Sequence, residues 1–396
     1  MNSKALLILI LFIGSNIART IGIDYKLFQI IIMAFAIAIA CKNKIIFHNK
    51  TIITLSIIIL LFGFHAISLY GAEGSLGILL TLLTTPILLI PYNRITSKQG
   101  NIYFKILCIF FISECIFAIL STITGQIFVK LPFEAATFNT TEFRAYTFHG
   151  TSLSDALIVT TIMSFILYSP LREKYKICMW IIGFISILCF NCRAAIVMNV
   201  GLFIIYILRN ILKNGRIKFS LIFFIILISA ISYYIFKAGV GRRLLEHGLY
   251  DENSAAVRTN TLLVLTELNL EDFIMGIPKN LRIVYLYNYS GNANGISENF
   301  WIDFLFEYGI IFIFFWFFLY YRICYPFLKY YSKTNAFILT TAFAILASTN
   351  NSLSTTFVPL FVFIICCYLF VPKILYSIID KKYLVALKYK SKNPKS

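Results

Sequence analysis

"CFNCRAAIVM" (residues 189–198) sets a single arginine between two apolar runs, Cys178 to Phe190 and Ala194 to Leu208. Each run is membrane-like, and only a turn of a few residues separates them. Two helices joined by so short a turn satisfy the backbone of both runs internally, which lipid demands. They also leave Arg193 where the chain meets the lipid boundary. The whole composition agrees with that reading. Of 396 residues, 59% are hydrophobic and only 13% charged, with a mean hydropathy of +0.83. A soluble domain cannot hide that much apolar surface, so the chain reads as an all-α polytopic integral membrane protein.

A helix needs about 20 apolar residues to cross the hydrocarbon core. About twelve candidate spans (11–13) follow: 4–18, 26–41, 51–70, 75–91, 103–123, 151–169, 177–191, 194–209, 219–236, 299–321, 336–348 and 357–376. The run after Lys4 is short enough for a signal-peptide core, but no small-x-small cleavage site is clear, so it reads as the first membrane segment. Residues 1–396 form a single membrane domain, with two long loops on one side, 124–150 and 237–298. Alternating the loops with both termini cytoplasmic places 24 of the 35 cations inside, and of the 17 acids only Glu173 and Asp380. The positive-inside rule favours that orientation. The formal net charge of +18 therefore reflects orientation in a membrane, and nucleic acid is not expected as a partner. No internal repeat, P-loop, GxGxxG or HExxH is present. Cys189 and Cys192 form a CxxC without a second pair or nearby histidines, so neither metal nor cofactor is expected.

Polar chemistry is thus expected on the outer face. Arg193 reads either as a snorkelling anchor for a helix end or as a planar fork gripping a lipid-linked phosphate or pyrophosphate. The long loop adds Arg242, Arg243 and Arg258. Ser254 resembles an N-cap, opening an amphipathic helix over 254–270 with Arg258 on its first turn. A cation is disfavoured there unless it serves an anion. Tyr285, Tyr287 and Tyr289 alternate, as in a short strand or ribbon, with rings that either stack on sugar or pack at the interface. Ser297 resembles another N-cap, followed by Glu298, Asn299, Trp301, Asp303 and Glu307. Acids at a helix start are favoured by the dipole, yet in an apolar zone they are expensive and usually functional. In the first long loop stand Arg144 and His149, the latter a possible base, with Asp155 just inside the next helix and Glu114 in the middle of an earlier one.

Three stretches in order resemble the O-antigen polymerase and O-antigen ligase superfamily, metal-independent membrane glycosyltransferases of the GT-C type. These are "NCRAAIVMNVGLFIIYIL", "AAVRTNTLLVLTELNLEDFIMGI" and "SENFWIDFLFEYGIIFIFFWFF". "FRAYTFHGTSLSDA" is loosely similar to the family's approach to an earlier helix, so the likeness covers residues 140–320. The resemblance implies that Arg193 and Arg258 engage the pyrophosphate of an undecaprenyl-linked donor. It places Glu298 where ligases carry a histidine, which favours a polymerase, and makes Glu298 the candidate base with His149 behind it. Arg144, His149, Arg242, Arg243, Tyr285, Tyr287 and Asn299 are the expected substrate contacts. Residues 19–25, the first outer loop, hold one acid, Asp24, whereas metal-dependent GT-C enzymes have a large acidic loop there. The implied setting is the bacterial inner membrane, with lipid-linked oligosaccharides as substrates, surrounding lipids as contacts, and a flippase and a chain-length regulator as companions. A ligase that transfers glycan to lipid A–core and a flippase for lipid-linked sugars are the competing readings.

Overall fold

Helix pairs every backbone group within its own segment, the form an apolar chain needs in lipid, and every regular element among the described residues is helical. The computed structural model describes residues 3–42, 50–92, 97–131, 143–169, 171–214, 233, 252–290, 297, 299–328, 331–349, 353 and 356–370. The helices are α1 (Ser3–Thr20), α2 (Tyr25–Lys42), α3 (Lys50–Leu89), α4 (Ser97–Thr124), α5 (Ser152–Tyr168), α6 (Glu173–Phe190) and α7 (Arg193–Asn214). After these come α8 (Glu252–Glu267), α9 (Leu270–Met275), α10 (Lys279–Ser290), α11 (Phe300–Leu328), α12 (Lys333–Ala347) and α13 (Val358–Leu369).

Eleven of the twelve expected segments fall on these helices; the other, 219–236, lies outside the described residues apart from Tyr233. The number of crossings is a coarser matter. By length and apolar composition alone, five helical runs among the described residues suffice to span: α1, α2, Gln99–Thr124 of α4, Arg193–Leu212 of α7 and Phe300–Arg322 of α11, two of them interrupted, at Gly14 and Gly309. Several apolar helices therefore mark a membrane-associated, all-α chain. The break between the expected spans 51–70 and 75–91 appears inside α3, at Gly71 with φ 69° and ψ 174°.

α5 is the post around which the bundle forms. Every residue of it except Leu153 is buried, and so is α13 apart from Leu360. A helix apolar on all sides belongs in a core, and α5 packs against α4, α6, α7, α12 and α13. Gly183 lets α6 approach closely, because a Cβ there would stand 2.5 Å from Met163 Sδ.

α11 is not one rod. In a straight helix, side chains sixteen residues apart lie about 24 Å apart along the axis, yet the Phe300 and Trp316 rings are 5.8 Å apart and the Trp301 ring stacks on Phe317 at 5.3 Å. The chain folds back at Gly309, with φ 73° and ψ 171°, a backbone region open essentially only to glycine. The short arm, 300–308, lies beside the long arm, 310–328. The long arm alone runs about 28 Å, enough to cross. The expected span 299–321 is therefore not one straight helix but two arms folded at Gly309.

Candidate functional site

Residues 143–151 run into the bundle without regular secondary structure, bending over 148–151, and so have no helical hydrogen bonds of their own. Buried backbone of this kind requires outside partners. Asn16 on α1 supplies three: its side-chain nitrogen donates to the carbonyls of Thr147 and Gly150, both at 3.1 Å, and its oxygen accepts from the Gly150 N–H at 3.1 Å. Asp155, in the first turn of α5, accepts from the N–H groups of Thr147 at 2.9 Å and His149 at 3.1 Å. The Thr147 hydroxyl donates to Glu114 of α4. Glu114 and Asp155 thus hold this segment in place. Gly14 makes the room for it: α1 breaks there, with φ 82°, and a Cβ would collide with the Phe148 carbonyl and the His149 ring.

One further bond carries the segment to the opening arginine. The Ala145 N–H donates to the Cys189 carbonyl at 3.0 Å, at the end of α6. Asn191 then turns the chain in the left-handed region (φ 53°, ψ 41°), the non-glycine type that tolerates it best. α7 begins at Arg193, which is half-buried. Arg144, also half-buried, is therefore seated beside the turn that presents Arg193.

His149 is placed differently from its expected role. Its side chain is fully buried, neither ring nitrogen finds a partner among the described residues, and Phe110 meets it edge-on at 5.6 Å. Burial pushes its pKa down to about 3. A ring so enclosed has no face for a sugar, so the reading of His149 as a substrate contact or reserve base is corrected to a neutral packing group.

The other expected contacts gather around the short arm of α11. The expected helix 254–270 is two: α8 starts earlier, at Glu252, and α9 is a separate turn whose cap, Asn269, accepts from the Asp272 N–H at 2.7 Å. Arg258 is on the second turn of α8 rather than the first, and its side chain lies outside the described residues. Arg242, Arg243 and Glu298 also lie outside the described residues. The tyrosine ribbon is corrected to helix. Tyr285 and Tyr289 are one helical turn apart on α10 and pack on a cluster of Val264, Ile277, Leu286, Ile302 and Phe306, while Tyr287 is exposed. Asn299, rather than Ser297, caps α11: its side-chain oxygen accepts from the N–H groups of Trp301 at 3.0 Å and Ile302 at 3.4 Å. Ser297 in turn accepts from the Asn299 N–H at 3.0 Å.

A buried ion cluster fixes α10 to that arm. Arg282 stands 2.9 Å from Glu307 and 3.8 Å from Asp303, and Asp303 accepts from the Ser297 N–H at 3.2 Å. Burial lowers the Arg282 pKa, but Glu307 and Asp303 more than offset that, so the net direction is upward. Arg282 Nε has no partner among the described residues. Tyr70 of α3 donates to the Ile277 carbonyl at 3.1 Å, and the His65 ring meets the Met275 carbonyl at 2.6 Å. Sequence reasoning passed over Arg282 and Asn16. For Arg282 the signal was present: with Leu286 it marks one face of a helix, four residues apart.

The structure thus joins the segment carrying Arg144 to the end of α6, just before the turn to Arg193, and groups Tyr285 and Asn299 near Asp303, Glu307 and Arg282. No protein-family model matches the chain, and no curated protein matches it.

Proposed function

We propose that this chain polymerises oligosaccharide repeat units carried on undecaprenyl pyrophosphate, at the outer face of a bacterial inner membrane, in a GT-C-like architecture. The observation that supports it most is the Ala145–Cys189 hydrogen bond, which seats the Arg144 segment against a helix-hairpin tip carrying Arg193. Two guanidinium-bearing stretches at one membrane boundary suit a pyrophosphate that arrives attached to lipid.

In this reading a sugar hydroxyl of one lipid-linked repeat attacks the anomeric carbon of the growing chain. The new C–O bond forms as the bond to pyrophosphate breaks, and undecaprenyl pyrophosphate leaves with the electron pair. Arg193, with Arg258 and Arg144, stabilises the charge that develops on that leaving group, which requires neither a metal nor a cofactor. Glu298 takes the hydroxyl proton. Its chain neighbours lie among polar groups: the Ser297 N–H donates to Asp303, and Asn299 caps α11. Arg242, Arg243, Tyr285, Tyr287 and Asn299 contact the glycan. A flippase supplies the substrates and a chain-length regulator sets their final number.

The test is the lipopolysaccharide banding pattern of a Gram-negative host from which this gene is deleted. Core carrying a single repeat, with the ladder gone, supports a polymerase; bare core assigns the chain to ligation or flipping instead. Complementation with Arg193→Ala is expected to leave polymer synthesis lowered by about 10²–10³-fold, the usual scale for removing one donor to a developing oxyanion.

A further inference from the structure

The end of the bundle opposite the Arg193 turn holds an open cavity of about 540 Å³, within the range of small-ligand sites. Lys176 on the first turn of α6 and Arg209 near the end of α7 both line it, as do Tyr168, Tyr206, Leu212 and Asn335. Sixteen residues of α7 separate Arg209 from Arg193, about 24 Å of helix. The two cations come from different helices and converge on one space. The Lys176 ammonium donates to the Leu167 carbonyl at 2.9 Å and sits over the Tyr206 ring at 5.4 Å. Arg209 donates to the Asn335 side-chain oxygen and lies over the Tyr168 ring at 5.7 Å. Asn335 is itself held by the Tyr168 carbonyl, at 3.3 Å.

Capping the last carbonyls of α5 explains one donor of Lys176. It explains neither the presence of Arg209 nor the open volume between them. Lys176 is only 8% exposed, and among the described residues no carboxylate lies within 4 Å of either cation. Glu173, on the same first turn of α6, acts on Lys176 through charge but does not line the cavity. A buried ammonium and a guanidinium that converge on an open space with no carboxylate in its lining form a site for an anion.

The mouth of the cavity decides which anion. Leu212 lines it and is 85% exposed, and Leu208, one turn earlier, is 52% exposed. A free ion has no use for apolar flanks, whereas a phospholipid places its phosphate inside and its chains along them. Arg172, Lys174, Lys213 and Lys333 belong to the same end of these helices, the side on which the positive-inside rule places the cytoplasm and its anionic lipids.

We propose that this cavity between α5, α6, α7 and α12 binds the phosphate of an anionic phospholipid, held by Lys176 and Arg209, with the acyl chains along Leu208 and Leu212. The site is independent of the glycan reaction proposed above.

Full-length protein in detergent is titrated with short-chain phosphatidylglycerol, short-chain phosphatidylcholine and inorganic phosphate, with bound species read by native mass spectrometry. One phosphatidylglycerol per chain is expected in preference to phosphatidylcholine, with inorganic phosphate failing to displace it. Arg209→Gln keeps a hydrogen-bonding partner for Asn335 and is expected to weaken phosphatidylglycerol about fivefold, as is Lys176→Gln, while Arg209→Lys retains most of the affinity. Leu212→Ser, on an exposed position, weakens the lipid without touching either cation and serves should a charge variant fail to fold. Phosphatidylglycerol binding unchanged in Arg209→Gln and Leu212→Ser overturns the proposal. Displacement by inorganic phosphate at matching concentration also overturns it, assigning the cavity to a free ion.

Discussion

Arg282 shows most plainly what a single residue does in this chain. It is 6% exposed and faces two carboxylates, Glu307 at 2.9 Å and Asp303 at 3.8 Å. Removing the cation alone strands the buried Asp303 beside the half-buried Glu307, so Arg282→Met is expected to destabilise the protein by about 3–5 kcal/mol. Combining it with Asp303→Asn and Glu307→Gln should recover most of that loss. Thermal melts in detergent check both; a triple variant no better than the single one would show that the cluster acts through more than charge. His149 makes a pH prediction. The unfolded chain takes up a proton near pH 6.5, which the buried ring refuses until about 3. The unfolded state therefore binds more protons across that window, and stability falls as the pH drops through it, by up to about 1.4 kcal/mol per pH unit. Melting of His149→Met is expected to depend less on pH than wild type between about pH 7 and pH 5. Equal slopes would contradict the buried placement.

At the scale of elements, glycine decides where helices stop being rods. The close approach of α9 to α11 places Gly276 and Gly309 face to face, and a Cβ on Gly309 would collide with the Ile274 carbonyl. Gly309→Ala therefore meets both that collision and a positive φ, at a cost of about 1–3 kcal/mol for the backbone alone. Hydrogen exchange in residues 270–277 should rise in the variant; unchanged protection would mean that the hairpin does not depend on this glycine. The bend between residues 70 and 75 was legible because polar and small residues, Gly71, Ala72, Glu73 and Gly74, interrupt two apolar runs. The tyrosine ribbon was not. Three alternating residues satisfy a period of two, but Tyr285 and Tyr289 also satisfy a period of four, and so short a window cannot separate them. The packing of Leu286 against Val264 and Ile277 favours the helix. The division of α8 from α9 was written in Asn269 followed by Glu271 and Asp272, a helix start that an unbroken apolar pattern concealed.

For the whole molecule, apolar content identified the class of fold but overstated how simply it divides into crossings. α5 and α13 are apolar because protein surrounds them, so their composition reports packing as much as lipid. Arg193 was legible as a candidate from its setting between two apolar runs. Its pairing with the Arg144 segment was not, because that contact is made by the Ala145 N–H and the Cys189 carbonyl, atoms that every residue carries. Asn16 was equally hidden: one amide in an apolar run gives no hint that it holds a segment more than a hundred residues away. Polymerisation is read with the purified full-length chain in vesicles, supplied with undecaprenyl-pyrophosphate-linked repeat units from its host, with products sized by gel and mass spectrometry. A ladder of integral repeats is expected, with release of undecaprenyl pyrophosphate, and Arg193→Ala should nearly abolish it. Repeat units recovered unjoined, or a ladder undiminished by that substitution, would contradict the proposed function.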